Sequence, residues 1–467
     1  MSPDRCLPPD GEGTRSLPPG CRVHVVGAGG AGMSGLAAVL CAMGHQVTAT
    51  DLQASPVLER LAARGVTVAT GHCPDLVAGA ELVTASPAVP PGDPELAEAR
   101  RRGVAVWSRA EVLGAVASQR RCVAVAGTHG KTTTASMLVV ALEAAGLRPS
   151  FLVGADVAGL GTNARWGPGE WLVVEADESY GSFAALRPDL AVLTNVEPDH
   201  LDHYRTLAAL HEAFARFVAR SARVVVCSDD PVAASLGERV GACGVGTGPA
   251  ATYRMTAVET GPSGARVELA GPAGPLGTLS VPIPGHHNAA NAALAAAAAM
   301  ELGATFGQVA TGLARFTGVP RRFERRGAAR GVTFVDDYAH LPGEVAPTLA
   351  AARALGARRV VAVFQPHRYT RTEALAGELG RSLAAADVVV VTDVYGAGDP
   401  PLAGVTGRLV ADAVASSDPA VAVHYAPQRG ELRGLVASLL RPGDLCLTLG
   451  AGDLTTLPDE LLADPSW

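Results

Sequence analysis

One lysine, Lys131, stands against 37 arginines in this chain, and it closes the run Gly127-Thr128-His129-Gly130-Lys131-Thr132-Thr133-Thr134. A primary ammonium at the end of a glycine-rich turn is a compact charge suited to β- and γ-phosphates, and the next hydroxyl, Thr132, suits Mg2+. The loop reads Gly-x-x-Gly-Lys-Thr and is shorter than the general phosphate-loop pattern, because Val125 occupies the first glycine position. These residues point to a bound nucleoside triphosphate.

A second glycine turn, Gly27-Ala28-Gly29-Gly30-Ala31-Gly32, follows an apolar run and precedes a helical pattern, so its amides and the helix dipole suit a diphosphate. Asp51, 19 residues beyond Gly32, stands where an acid meets a ribose hydroxyl. Taken alone, this turn fits an NAD-dependent oxidoreductase. Two phosphate-cradling turns in one chain argue for two phosphorylated ligands, and a single-cofactor dehydrogenase explains only the first.

Carboxylates gather at two strand ends. Glu175, in Val174-Glu175-Ala176-Asp177-Glu178, is placed to ligate Mg2+. His200, in Asn195-Val196-Glu197-Pro198-Asp199-His200, is placed to ligate a second Mg2+ or steer a carboxylate, with a purely structural loop histidine as the competing reading. His203 reads as a surface residue. Asn291 begins an alanine-rich helix and either reads an adenine edge or caps that helix. Further on come Arg321-Arg322-Phe323, Asp336-Asp337-Tyr338-Ala339-His340 and Gln365-Pro366-His367-Arg368-Tyr369-Thr370-Arg371-Thr372. The last packs two arginines, a histidine and a tyrosine into a loop suited to a carboxylate substrate, or to a solvated basic surface.

The elements that must position these residues form three α/β segments. Residues 21–118 open on Arg22–Val26, with a helix over 34–43 and strands at 46–50, near 67 and at 82–84. Residues 119–320 open on Cys122–Ala126, with a helix over 135–145 and strands at 171–175, 190–195 and 223–227. A Gly/Pro-rich stretch over 241–284 reads as loops and short antiparallel strands, and the alanine-rich helix spans 289–301. Residues 321–467 carry strands at 332–336, 359–364, 387–392 and 445–449 and a helix over 342–355, another doubly wound unit. Residues 1–20, rich in Pro, Gly and charge, read as a disordered tail and not a signal peptide.

Composition narrows the class. Charged residues are 18% and hydrophobic ones 48%, as in a core-rich globular protein. A net charge of −7 gives no electrostatic footing for nucleic acid. The eight cysteines are scattered without a CxxC pair, which suits a reducing cytoplasm. No apolar stretch is long enough to span a bilayer.

In this ordered set of motifs the chain resembles the Mur ligase family, from about Arg22 to the C-terminus. The resemblance rests on Gly27–Gly35, Gly127–Thr134, Glu175–Ser179, Asn195–Asp202, His287–Asn291, Arg321–Phe323, Asp336–Tyr338, Gln365–Thr372, Asp393–Gly398 and Gly450–Asp453. The first glycine turn and the 365–372 motif point to the branch that adds the first amino acid.

The resemblance implies an α/β protein of three domains: an N-terminal Rossmann-like domain, a central P-loop ATPase-type domain and a C-terminal Rossmann-like domain. It implies ATP-dependent ligation of L-alanine to UDP-N-acetylmuramate through an acyl phosphate, in peptidoglycan synthesis, by a cytoplasmic monomer or homodimer. Gly27, Gly29, Gly30, Gly32 and Asp51 would hold the UDP-sugar. Gly127, Thr128, His129, Gly130, Lys131, Thr132, Thr133, Asn291, Arg322 and Asp337 would hold ATP, and Thr132, Glu175 and His200 the Mg2+. Tyr338, His340, His367, Arg368 and Arg371 would surround the amino acid. The catalytic set would be Lys131, Glu175, His200, His367, Arg368 and Arg371, with His367 or His340 as the base for the amine. Tyr180, Leu341 and Gly343 depart from the family's usual Asp, His and Thr. They lie toward the substrate side and leave open a paralogue with another amino acid or peptide.

Overall fold

A computed structural model of the chain describes residues 15–464, with side chains for all of them except 180–182 and 201–202. It forms two compact units. The first holds residues up to 256 with 268–279 and 290–316, and the second holds 257–267, 280–289 and 317 onward.

The N-terminal sheet comprises Arg22–Val26 (β1), Gln46–Asp51 (β2), Thr67–Thr70 (β3), Leu82–Ala85 (β4) and Ala105–Ser108 (β5), in the order β3-β2-β1-β4-β5. All its pairings are parallel. Every residue of β1 after Arg22 is buried, as expected of a parallel strand covered on both faces. The switch in strand order beside β1 places the glycine turn at the carboxyl edge, where open α/β sheets take ligands.

The central sheet comprises Arg121–Ala126 (β6), Ser150–Val157 (β7), Thr162–Arg165 (β8), Trp171–Glu175 (β9), Leu190–Leu193 (β10), Val224–Cys227 (β11), Cys243–Gly246 (β12), Tyr253–Gly261 (β13), Gly264–Gly271 (β14) and Gly274–Val281 (β15). Its order is β15-β14-β13-β12-β11-β10-β6-β9-β7-β8. β6 lies in parallel between β10 and β9, so the phosphate loop and the motifs after Glu175 and Leu193 leave the same sheet edge.

The third sheet has Glu324–Ala329 (β16), Val332–Asp337 (β17), Arg359–Phe364 (β18), Val388–Val391 (β19), Ala422–Tyr425 (β20) and Asp444–Leu449 (β21), in the order β16-β17-β21-β18-β19-β20. Alternate residues of β18 enter different cores. Val360, Ala362 and Phe364 pack with Leu349 and Leu379, while Val363 packs with Leu432 and Leu457.

Most expected strands are present within two residues of their expected bounds. The helix of the phosphate loop starts at Lys131 and not at 135, because Gly130, at φ 77°, is itself the helix N-cap. β13 to β15 run to eight or nine residues, longer than expected. β5, β7, β8, β16 and β20 answer to no expected strand. Of the expected tail, residues 1–14 lie outside the described residues. Residues 15–20 are anchored: Leu17 is buried, and Arg15 pairs with Glu111 at 3.1 Å and lies over the Trp107 ring. Among the described residues no helix is long and apolar enough to cross a membrane.

One hydrophobic cluster joins the N-terminal and central sheets, running from Val25 and Leu36 through Leu152 and Ala164 to Leu193 and Phe214. Helix Ala31–Ala42 docks on β7 and β8 through Gly35. A Cβ there would lie 3.0 Å from Leu152 Cδ2 and 3.2 Å from Ala164 Cβ. Asn163 Nδ2 donates to Ala31 O at 2.7 Å and fixes the same contact. Gly35→Val should therefore overpack this seam and cost about 1–3 kcal/mol. Urea denaturation checks it, and an unchanged midpoint would contradict so close an approach.

Candidate active site

The phosphate loop is braced from the neighbouring strand end. Gly127 has φ 133°, and a Cβ on it would fall 2.0 Å from Thr194 Oγ1, so no other residue fits. Asn195 clamps the loop. Its Oδ1 accepts from His129 N at 2.8 Å, its Nδ2 donates to His129 O at 3.1 Å, and its carbonyl accepts from Thr128 N at 3.0 Å. Thr194 Oγ1 donates to His129 O at 2.6 Å, and Glu197 Oε2 lies 3.1 Å from His129 Nε2. Thr194, Asn195 and Glu197 went unassigned in the sequence reading, although their place after a strand parallel to β6 marks them. Asn291 reaches the same loop: a Cβ on Gly130 would lie 2.6 Å from its Oδ1.

Lys131 extends from this loop into a group of carboxylates. Its Nζ lies 2.7 and 3.0 Å from the two oxygens of Glu178, 3.9 Å from Asp177 Oδ1 and 3.2 Å from Thr128 O. Glu178 is 1% exposed. Burial alone would lower the Lys131 pKa, but the charges of Glu178 and Asp177 outweigh it and hold the ammonium above its ordinary value. Burial pushes the Glu178 carboxyl up, to about 7, with Lys131 pulling the other way. Tyr204 Oη donates to the carbonyl of Glu178 at 2.6 Å and steadies that residue.

The expected metal residues divide. Thr132 Oγ1 donates to Glu175 Oε1 at 3.0 Å, and Glu175 Oε2 accepts from Gly154 N at 2.7 Å, so these two come together. His200 groups instead with Asp177 and Glu178, the ligand atoms of all three lying within 4.8 Å of one another. His200 sits at φ 53°, a left-handed conformation uncommon for a histidine. Two carboxylates and an imidazole so close, with Glu175 and Thr132 on the same sheet edge, fit a hard divalent cation.

In the N-terminal sheet the glycine turn hangs from β2: Thr50 O accepts from both Gly27 N and Ala28 N at 2.9 Å. Asp51, expected near a ribose, also holds the turn, its Oδ2 accepting from Gly29 N at 2.8 Å. A cavity of about 690 Å³ opens beside it, lined by Asp51, Leu52, His72, Asp93 and Glu95 among others. A second, of about 310 Å³, runs between Gly30 and Gly32 on one side and Glu175 and Asp177 on the other.

The second unit gathers the remaining expected residues. His340 lies edge-on to Tyr338, with ring centroids 5.4 Å apart, and 5.3 Å from His367, which stacks on Tyr395 at 5.9 Å. Arg371 Nη1 is 3.1 Å from His367 Nδ1. A guanidinium only donates, so this nitrogen accepts and the His367 proton is assigned to Nε2. His340 is the reverse. Its Nδ1 faces Tyr338 O at 3.0 Å and Glu344 Oε2 at 3.2 Å, both acceptors, so Nδ1 carries the proton and the lone pair falls on Nε2. Glu344 also accepts from His340 N, closing the first turn of helix Pro342–Ala354, where Leu341 is buried. Arg368 holds φ 67° at the head of helix Tyr369–Leu383. Arg322 lies over the Tyr338 ring, and Asp337 accepts from Phe323 N and Ala339 N at 2.6 and 2.8 Å.

Three family profiles match the chain: the Mur ligase family catalytic domain over residues 22–121, the Mur ligase middle domain over 125–299, and the Mur ligase glutamate ligase domain over 321–452. The UDP-N-acetylmuramate–L-alanine ligase of Kineococcus radiotolerans is 50% identical over 455 residues, covering 94% of this chain and 95% of the relative. That of Mycolicibacterium vanbaalenii is 46% identical, with 95% and 96% covered. Among solved structures, the UDP-N-acetylmuramate–alanine ligase of Thermotoga maritima superposes with a TM-score of 0.81 at 26% identity, covering 95% of this chain and 98% of that one. A murein peptide ligase from Psychrobacter arcticus, at 23% identity and a TM-score of 0.70, shares the fold.

Asp337 gives this site a pH signature. Burial pushes its carboxyl up to about 7, against Arg322 and the two backbone donors. An acid raised from an unfolded value of about 3.9 has its full stabilising effect below that value and loses it as pH rises toward the folded pKa. Asp337→Asn removes the titration, so between about pH 4 and pH 7.5 the Tm difference from the parent should move in the variant's favour. Calorimetry across that range checks it, and a constant difference would mean the carboxylate is ionised throughout.

Proposed function

The chain belongs to the Mur ligase family, and on that footing we propose that it joins L-alanine to the carboxylate of UDP-N-acetylmuramate, with ATP cleaved, in cytoplasmic peptidoglycan synthesis. The observation carrying this reading is the lone lysine at the mouth of a braced phosphate loop, among strand-end carboxylates. A nicotinamide dehydrogenase would leave that arrangement without a task.

A carboxylate does not accept an amine at neutral pH, because oxide would have to leave. Phosphoryl transfer from ATP converts it to an acyl phosphate, whose phosphate can leave. In this chain Lys131 moves its charge from Glu178 onto the triphosphate and follows the γ-phosphoryl group as it transfers. The loop amides from Gly127 to Thr132 cradle the remaining phosphates. Thr132, Glu175, Asp177, Glu178 and His200 are the residues that would hold Mg2+. When bound, that ion neutralises charge on the phosphates.

Arg368 and Arg371 suit the alanine carboxylate, and Arg371 also fixes His367. The amine must arrive neutral. His340, with its lone pair on Nε2 and Glu344 behind Nδ1, is the better placed of the two histidines to take that proton. The uridine half of the substrate would occupy the 690 Å³ cavity beside Asp51.

Lys131→Ala should cut phosphate release by on the order of 10²–10³-fold or more while UDP-N-acetylmuramate binds about as before. The assay mixes protein, ATP, Mg2+ and UDP-N-acetylmuramate with Ala, Gly or Ser and follows phosphate. Release near the parental rate in the variant would refute the role given to Lys131, and release with Gly or Ser in place of Ala would refute the amino acid.

A further inference from the structure

We infer that Arg109 is the cation that grips the diphosphate of the UDP-sugar, a role that rests on the reading of the first glycine turn as the UDP-sugar site. Arg109 is the first residue of helix Arg109–Ala117, whose start is fixed by a capping box between Ser108 and Glu111. The helix is seated further along, where a Cβ on Gly114 would fall 2.8 Å from Ala185 O. From this rigid mount the guanidinium lies over Gly32. A Cβ there would be 2.8, 2.9 and 3.0 Å from Arg109 Nη2, Nε and Cζ, so a side chain at this position would displace the guanidinium.

Among the described residues, the Arg109 guanidinium has no hydrogen bond or ion pair with the protein. The nearest acid in sequence, Glu111, is committed to Ser108 and Arg15. A half-buried arginine on the wall of a 310 Å³ cavity, with no protein partner, is a side chain arranged for an anion from outside. Arg109 is also the only arginine or lysine among the residues lining either N-terminal cavity.

Charge decides which anion. Asp51 already takes the Gly29 amide and sets a negative charge against the turn. A diphosphate at the start of helix Ala31–Ala42 would meet that charge, and the helix dipole alone is worth only a fraction of what a full cation supplies. Arg109, over Gly32 on the same turn, restores the balance. Its contact with Gly32, at the first turn of that helix, sets it beside the diphosphate, in the cavity whose far end carries Glu175 and Asp177.

Calorimetric titration of uridine, UDP, UDP-N-acetylglucosamine and UDP-N-acetylmuramate into the parent, Arg109→Ala and Arg109→Lys tests this. ADP binding by each variant serves as the check on folding. The expected result is a loss on the order of 10- to 100-fold for all three diphosphates in Arg109→Ala, a smaller loss in Arg109→Lys, and none for uridine. Unchanged UDP affinity in a variant that still binds ADP would overturn the inference. So would a loss confined to UDP-N-acetylmuramate, because that would assign Arg109 to the lactyl carboxylate. A parent that failed to bind UDP at all would instead remove the reading of the glycine turn beneath it.

Discussion

A buried ammonium cannot stand without a counter-charge, and the site on the central sheet is built around that constraint. Lys131 and Glu178 are paired at 2.7 Å with little solvent around either. Removing one partner of such a pair leaves the other uncompensated, at about 3–5 kcal/mol. The ammonium therefore leaves Glu178 only for another anion, and the carboxylate left behind calls for another cation. A triphosphate arriving with a divalent ion meets both requirements at once. The Lys131–Glu178 pair thus links the phosphate loop to the Asp177, Glu178 and His200 cluster.

Sheet topology makes the pairing possible. β9, β6 and β10 lie side by side in parallel, so the three motifs after them emerge along one edge. The loop keeps its shape because Thr194 and Asn195, at the end of β10, hold it from outside. The N-terminal sheet repeats the logic with a different charge pattern: there Asp51 fills an amide of the glycine turn and Arg109 faces it. Both glycine turns thus have an acid and a cation close at hand.

Much of this was legible in the sequence because it is local. The glycine turns, the lone lysine, the strand-end acids and the basic 365–372 loop are contiguous runs with chemical meaning. What was hidden depends on separation along the chain. Glu178 lies 47 residues from Lys131, and nothing in its own run distinguishes it from Glu175 as the lysine's partner. The pairing of His200 with Asp177 and Glu178 has the same origin, as has the turn of Asp51 toward Gly29. Among the elements, the apolar run marked the helix only from 135, whereas Gly130 starts it at Lys131. β16, with Arg325, Arg326 and Gly327, lacks the apolar alternation of a strand and exists because β17 offers it an edge, with a register shift at Gly327.

The single lysine offers a direct test. In protein labelled with ¹³C and ¹⁵N only at lysine, the side chain gives one set of signals, all from Lys131. Its Cε and Nζ resonances report whether the ammonium faces a carboxylate or a polyphosphate. The account predicts that a saturating non-hydrolysable ATP analogue with Mg2+ shifts these resonances and that UDP alone does not. Unchanged resonances in protein shown by calorimetry to hold the analogue would mean the nucleotide binds away from Lys131, and the account would fail.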